Sequence, residues 1–202
     1  MEECQMIIVV DGPRASGKTT FIDAFSEYVK SNYGVNLARM KFDRGEDPWA
    51  DMKATIEMYG ESEDVIVIDR FHITEFAMYH IRHDFIHAVS NDILIKFLEI
   101  EALLSQSGAI TVYFCPPWNV IKHRMDLLER EDDGSYEHPI WKVVNQLFEN
   151  SDSNSKIYIS GEISRIRFQE LSLYVLSVAK AFQVMTILKR KQSENLDKGE
   201  EE

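Results

Sequence analysis

The chain has 202 residues and a formal net charge of −12, and 45% of its residues are hydrophobic. This length and composition predict one domain with a substantial apolar core. The negative charge argues against a protein whose main task is to bind duplex DNA or an anionic membrane, so we expect no membrane partner and consider a polynucleotide partner disfavoured.

The cysteines and the longest apolar runs bear on the cellular compartment. Cys4 and Cys115 lack the spacing of a zinc site and are predicted to be free thiols in a reducing compartment. The apolar run at residues 6–10 is too short for a secretory signal. The longest apolar region, residues 171–188, contains a lysine and a glutamine, which indicates a core helix rather than a membrane span. We therefore expect a cytoplasmic protein.

The first predicted strand, residues 6–10, leads into the pattern Gly12-x-x-x-x-Gly17-Lys18-Thr19, and a helix ending at Gly34 follows. This order is typical of a P-loop, in which backbone N–H groups and the helix dipole bind phosphate. We expect Lys18 to reach the β- and γ-phosphates of ATP and the Thr19 hydroxyl to bind Mg²⁺. The predicted nucleotide-binding residues are Gly12, Arg14, Ala15, Ser16, Gly17, Lys18, Thr19 and Thr20.

Further strands alternate with helices along the rest of the chain. The predicted strands cover residues 35–42, 65–68, 109–115 and 156–159. The predicted helices cover residues 48–59, most of 71–106, 116–128, 138–149 and a long final segment. The alternation predicts an α/β fold of the P-loop NTPase type, a three-layer sandwich with a parallel sheet of about five strands flanked by helices. Ligands bind such sheets at the carboxyl ends of the strands.

One domain is predicted over residues 1–191, followed by an acidic tail at residues 192–202. Residues 129–137 are highly charged, contain Gly134 and show no apolar periodicity, which predicts a lid over the site.

The third strand ends at Asp69-Arg70-Phe71, on the sheet edge that carries the P-loop. A carboxylate at this position can hold Mg²⁺ together with Thr19, and the alternative is that Asp69 caps the following helix. The planar guanidinium of Arg70 suits a phosphate or a carboxylate partner.

His80, His83 and His87 share one face of a predicted helix, a spacing compatible with a metal site. A fourth ligand at a recognisable distance is missing from the sequence, so an ordinary polar helix face is favoured.

Three segments resemble the thymidylate kinases. The segment VIVIDRFHITEFAMY, from residue 65, resembles their Asp-Arg-Tyr-x-x-Ser-x-x-Ala motif, with Phe71 for tyrosine and Thr74 for serine. The segment VYFCPPWNVIKHR, from residue 112, resembles their strand with paired prolines and a following arginine, and RMDLLEREDDGSYE, from residue 124, is similar to their lid. With the P-loop, these motifs follow the family's order over most of residues 6–160. The deoxynucleoside kinases share much of this layout.

The resemblance implies an ATP- and Mg²⁺-dependent kinase, from a family whose members often form homodimers. It implies that Arg124 and Arg130 close over the transferred phosphoryl group and that Arg44 binds the acceptor phosphate. Surface positions for Arg124 and Arg44 are the open alternatives. Phe42, Phe71 and Trp49 are candidates to stack on an acceptor base, with core packing as the alternative for each. The predicted substrate-binding residues are Phe42, Arg44, Arg70, Phe71 and Thr74.

The sequence departs from the thymidylate kinases at two places. Arg14 stands where their P-loop usually carries an aspartate, and the segment FDRGEDPW, from residue 42, replaces their acceptor-loop glycines. That segment is similar to the deoxynucleoside kinases, whose acidic residue near this strand end contacts the 5′-hydroxyl. By this likeness Asp43 is a candidate general base, from which a hydroxyl acceptor benefits and which a phosphate acceptor does not need.

These observations favour ATP-dependent phosphoryl transfer to a (deoxy)nucleoside monophosphate. The second interpretation is a deoxynucleoside kinase that acts on the 5′-hydroxyl. More distant interpretations are a kinase of a modified base in DNA and a nucleotide-binding switch without kinase activity.

Overall fold

The structure is a computed structural model that describes residues 6–34, 36–42, 47–59, 65–82, 91–127, 137–150, 156–159 and 168–178. Several predicted features lie outside these residues: Cys4, Asp43, Arg44, His83, His87, Arg130, nearly all of the lid at 129–137 and the acidic tail at 192–202.

Five parallel strands form one sheet. They are β1 (Met6–Asp11), β2 (Ala38–Lys41), β3 (Val65–Asp69), β4 (Ile110–Phe114) and β5 (Lys156–Ile159). Their order in the sheet is β2-β3-β1-β4-β5, so β1 is central and the P-loop that follows it lies in the middle of the carboxyl edge. The predicted parallel sheet of about five strands is confirmed. The second strand is shorter than the predicted 35–42 because β2 is an edge strand whose residues are mostly exposed.

The helices follow the predicted order. They are α1 (Lys18–Tyr33), α2 (Pro48–Tyr59), α3 (His72–Arg82), α4 (Asn91–Gln106), α5 (Trp118–Leu127), α6 (Glu137–Asn150) and α7, described over residues 168–178. The predicted C-terminal glycine of α1 is confirmed, since Gly34 adopts φ 69° and its N–H donates to Lys30 O. None of the described helices has both the length and the apolar character that a membrane span requires.

Two apolar clusters lie on opposite faces of the sheet. On one face, Ile7 and Val9 of β1 pack with residues of α2, α3, α4 and α6. On the other face, Ile8 and Val10 pack with Phe21 of α1 and residues of α7. Because both faces are covered, β1 is buried along nearly its whole length, which explains its continuous apolar run. Helix, sheet and helix form the predicted three layers.

Candidate active site

The P-loop leaves β1 through a backbone conformation that only glycine tolerates. Gly12 has φ 140°, and a Cβ built on it would lie 2.2 Å from the carbonyl oxygen of Phe114 at the end of β4. Gly17, at the start of α1, has φ 104°, in the left-handed region. The glycines of the motif are therefore fixed by a neighbouring strand and by the turn into the helix.

Backbone strain among the described residues is concentrated at this edge. Ala15 in the P-loop and Arg70 after β3, with φ 57° and 65°, are the two non-glycine residues of the described part that have positive φ. Such conformations cost free energy and cluster at ligand sites, so their position supports a functional edge. The N–H of Arg70 donates to Val10 O at 3.0 Å, which holds this residue beside β1.

Lys18 points back into the loop. Its ammonium nitrogen donates to Gly12 O at 2.7 Å, to Pro13 O at 2.6 Å and to Ser16 Oγ at 3.3 Å, and the residue is 5% exposed. These acceptors are neutral, and a phosphate anion is a stronger partner for an ammonium group. These contacts hold the Lys18 ammonium group inside the loop.

Arg124 reaches the P-loop from α5. Its Nη1 donates to Ala15 O at 3.3 Å and to Ser16 O at 3.2 Å, and it lies 3.6 Å from the position of a Cβ on Gly17. The structure thus brings Arg124 to the loop, as its predicted role requires. Thr19 and Thr20 lie exposed in the first turn of α1.

Asp11, which the sequence reasoning missed, joins the P-loop to α3. It is fully buried, and its Oδ1 accepts hydrogen bonds from Gly12 N at 2.7 Å and from the Thr74 hydroxyl. Its Oδ2 accepts from the N–H groups of Phe71, Ile73 and Thr74 at 3.2–3.3 Å. The sequence feature that could have indicated this role is a charged residue at the end of an otherwise apolar strand, because a buried carboxylate needs hydrogen-bond partners.

Asp69 lies on the other face of the sheet. It follows Val67 by two residues and so shares the face that packs on α1. Its Oδ2 pairs with Nη2 of Arg39 at 2.7 Å, and Nη1 of Arg39 pairs with Asp23 of α1 at 2.6 Å. Arg39 was not predicted as a site residue. The sequence gives little indication of its position, because β2 is a short edge strand.

The predicted magnesium ligands Thr19 and Asp69 both belong to the carboxyl edge of the sheet. Asp69 pairs in register with Val10, next to the P-loop, and Thr19 lies in the first turn of α1, directly after Lys18. A carboxylate and a hydroxyl are hard oxygen ligands of the kind that Mg²⁺ prefers. Thr19 and Asp69 would hold the ion there. Among the described residues, no group of three or more His, Cys, Asp or Glu side chains forms a metal site, and the side chain of His80 is not among those described.

The predicted stacking residues lie in the core. Phe71 is fully buried, Phe42 is 8% exposed, and their rings pack edge to face at 5.5 Å between centroids. Trp49 packs against Phe76 at 6.4 Å. Two other predicted substrate-binding residues are described. The hydroxyl of Thr74 donates a hydrogen bond to Asp11, and Arg70 is partly exposed. Substrate contacts for these residues stay predictions.

Solved structures of P-loop kinases share this architecture. The chain aligns with the YorR protein from Bacillus subtilis, solved in complex with phosphorylated GDP, at 18% identity over 86% of this chain and 95% of that one, with a TM-score of 0.60. It aligns with deoxyadenosine kinase from M. mycoides with bound dCTP at 16% identity, over 85% and 99% of the two chains, with a TM-score of 0.51. The chain has the P-loop kinase fold.

Other proteins of the P-loop kinase fold match as well. Thymidylate kinase from Ehrlichia chaffeensis aligns at 16% identity over 88% of this chain and 99% of that one, with a TM-score of 0.50. A polyphosphate kinase 2 and a shikimate kinase also share the fold, so the fold by itself does not select the acceptor. No protein-family model and no curated protein matches the sequence.

Proposed function

We propose that this protein transfers the γ-phosphoryl group of ATP to the phosphate of a (deoxy)nucleoside monophosphate, in the manner of a thymidylate kinase. The observation that carries the proposal is the P-loop, where Lys18 lies among loop carbonyls and Arg124 reaches the same loop from α5. A second cation at a phosphate loop suits transfer better than a nucleotide-binding switch, because charge spreads over the oxygens of the transferred group.

Each residue of the proposal has a physical role. Lys18 and Arg124, with Arg130 from the predicted lid, would compensate the charge on the transferred phosphoryl group. Backbone N–H groups of the P-loop would bind the donor phosphates, and Arg14 would add positive charge. Magnesium, held by Thr19 and Asp69, neutralises phosphate charge when it is bound.

The acceptor is inferred from the cations predicted near the second and third strands. A monophosphate acceptor is a dianion that needs positive partners and no general base. Arg70 lies partly exposed at the end of β3, and Arg44 follows β2 in the sequence. The resemblance of the segments at residues 65–79 and 124–137 to thymidylate kinases supports the same acceptor.

A deoxynucleoside kinase is the second candidate. It is favoured by the carboxylate of Asp43, which in the sequence directly follows Phe42, the last residue of the predicted second strand. A general base there would take the proton of a 5′-hydroxyl during transfer. The fold likeness to deoxyadenosine kinase from M. mycoides is compatible with this candidate, and the likeness to thymidylate kinase is compatible with the first.

A transfer panel with labelled ATP distinguishes these functions. We expect nucleoside monophosphates to be phosphorylated, and nucleosides and oligonucleotides to remain unlabelled. A panel in which nucleosides react and every monophosphate fails would overturn the proposal in favour of the second candidate. Labelled oligonucleotides would indicate a kinase of a base in DNA, and slow ATP hydrolysis without transfer would indicate a switch.

Two substitutions sharpen the choice of acceptor. For a monophosphate acceptor, Arg44→Ala should weaken acceptor binding by about 1.5–3 kcal/mol, the range for a charge-assisted hydrogen bond, and raise KM. For a hydroxyl acceptor, Asp43→Asn should lower kcat by roughly 100-fold or more. Glu46→Gln, in the same acidic segment, is the matched control, and neither mechanism predicts an effect there.

We also infer a cytoplasmic location and a homodimer. Cys115 is buried, forms no disulfide within the described residues and donates its thiol hydrogen to Asn145 Oδ1 at 2.7 Å, which supports a reducing compartment. Helix α4 exposes Leu94, Ile95 and Leu98, each 43–55% accessible, and a second copy of the chain would cover them. Sedimentation analysis tests the dimer, and a monomer at all concentrations would contradict it.

A further inference from the structure

One buried hydroxyl has two acceptors within reach. Oγ1 of Thr74 donates to Asp11 Oδ1 and lies 3.3 Å from Gly12 O. A hydroxyl carries a single proton, so a full hydrogen bond to one acceptor weakens the bond to the other. Thr74 is 3% exposed, and both acceptors are buried, so the choice lies between these protein groups. The hydroxyl is therefore an element with two discrete arrangements.

Lys18 influences which arrangement is favoured. In the present structure its ammonium group donates to Gly12 O at 2.7 Å, which satisfies this carbonyl. A phosphate group in the P-loop attracts the ammonium group more strongly than a neutral carbonyl does. To reach phosphate, the ammonium group must leave one or more of its three loop acceptors, Gly12 O, Pro13 O and Ser16 Oγ, and when it leaves Gly12 O this carbonyl loses the donor. Asp11 keeps four other donors, whereas a buried carbonyl without a donor is costly, so the Thr74 hydroxyl becomes the nearby replacement.

A change at the Thr74 hydroxyl also affects the hydrogen bonds between Asp11 and the first turn of α3. Oδ2 of Asp11 accepts the N–H groups of Phe71, Ile73 and Thr74, while Oδ1 shares the same negative charge with the Thr74 hydroxyl. If the hydroxyl turns to Gly12 O, the carboxylate charge is less satisfied at Oδ1 and binds the three N–H groups more strongly.

On the basis of the nucleotide site proposed above, we propose that Asp11 and Thr74 are positioning residues that couple the P-loop to α3. Nucleotide phosphate draws Lys18 away from Gly12 O, the Thr74 hydroxyl takes its place, and Asp11 tightens the start of α3. The partly exposed Arg70 immediately precedes this turn. Donor binding thus prepares the segment on which acceptor contacts are proposed, whichever acceptor the enzyme uses.

Hydrogen exchange with Mg-ADP as the probe tests this coupling. In the wild-type protein, ADP should slow exchange at the amides of residues 71, 73 and 74 by about fivefold or more, the lower end of ordinary coupling between sites. Thr74→Val removes the hydroxyl and keeps the shape, so this response should disappear. Coupling is reciprocal, so ADP binding to Thr74→Val should also weaken by about fivefold. Thr74→Ser keeps the hydroxyl and should keep the response.

The matched control is Thr55→Val in α2, which removes another buried hydroxyl, one that donates to Asp51 O at 2.7 Å. It should leave the ADP response at α3 intact. A merely structural role of Thr74 would change stability and basal exchange, but not the difference that ADP makes. Thr74→Ala replaces the valine variant if the latter does not fold.

Several results would overturn the coupling. If ADP binds the wild-type protein but hydrogen exchange at α3 does not change, the proposed coupling is wrong and the proposed nucleotide site is unaffected. A full response in the valine or alanine variant, or its loss in Thr55→Val, has the same meaning. If ADP does not bind the wild-type protein, the nucleotide site and the coupling both fail.

Discussion

Asp11 and Thr74, 63 residues apart in the chain, are joined by a buried hydrogen bond from the threonine hydroxyl to the carboxylate. Asp11 lies on the sheet face that packs on α3, whereas Asp69, at the end of the neighbouring strand, lies on the face that packs on α1. The carboxyl edge of the sheet therefore carries two buried carboxylates with different partners. Asp11 binds backbone donors and a hydroxyl, and Asp69 binds an arginine.

Asp11→Asn should destabilise the fold. The amide keeps one acceptor oxygen and replaces the other with a donor, so part of the five-donor set around Asp11 loses its acceptor. Leaving a single buried donor unsatisfied costs about 1–3 kcal/mol, and we expect the free energy of unfolding to fall by about 3 kcal/mol in denaturant titration. Asp126→Asn, at an exposed position of α5, should change it by less than about 0.5 kcal/mol. Equal losses in the two variants would contradict the role of Asp11.

Gly12→Ala and Gly34→Ala form a second matched pair. Both glycines have positive φ, but a Cβ at Gly12 meets Phe114 O at 2.2 Å, whereas a Cβ at Gly34 has no atom within 4 Å. Gly34→Ala should cost only the left-handed backbone penalty, about 1–2 kcal/mol. Gly12→Ala must also displace the P-loop or β4, so it should lower the melting temperature further and abolish ADP binding. Normal ADP binding in a folded Gly12→Ala protein would show that the loop can move aside.

Arg124→Ala should lower turnover without unfolding the protein. The side chain is partly exposed and contacts the P-loop carbonyls of Ala15 and Ser16. Removing one preorganised group that stabilises developing charge costs about 100-fold or more in kcat. Lys122→Ala, two positions earlier on α5 and exposed, removes a positive charge away from these contacts and should leave kcat unchanged. A similar loss in both variants would indicate a general effect of net charge rather than a specific role of Arg124.

Arg39→Gln should change the magnesium requirement. Arg39 neutralises Asp69, so its removal leaves more negative charge for a cation near Thr19. Partly exposed ion pairs contribute at most about 1 kcal/mol, so the Mg²⁺ concentration for half-maximal ADP binding should fall by up to about fivefold. Asp23→Asn removes the other partner of Arg39 and should leave this concentration nearly unchanged. A higher Mg²⁺ requirement in Arg39→Gln would show that the arginine orients Asp69 for the metal instead of competing with it.

Local sequence signals were sufficient for the elements and for the P-loop. The buried strands β1 and β3 are continuous apolar runs, and the glycines at 12, 17 and 34 occupy positions where the backbone requires them. These features depend on neighbours within a few residues, so the sequence alone predicts them. The short β2 was less predictable because its exposed edge position provides little apolar pattern.

Tertiary structure decided the order of the strands and the partners of the charged residues. Asp11 can be buried because backbone N–H groups at the start of α3 donate hydrogen bonds to it. Arg39 forms its ion pairs with Asp69 and Asp23, which belong to β3 and α1. Arg124 meets the P-loop across 108 residues of chain. Buried charges and polar groups are stable only with specific partners, and those partners come from distant segments that the sheet brings to one edge. The sequence by itself thus determined which residues form the phosphate loop, and the packed fold determined which side chains surround it.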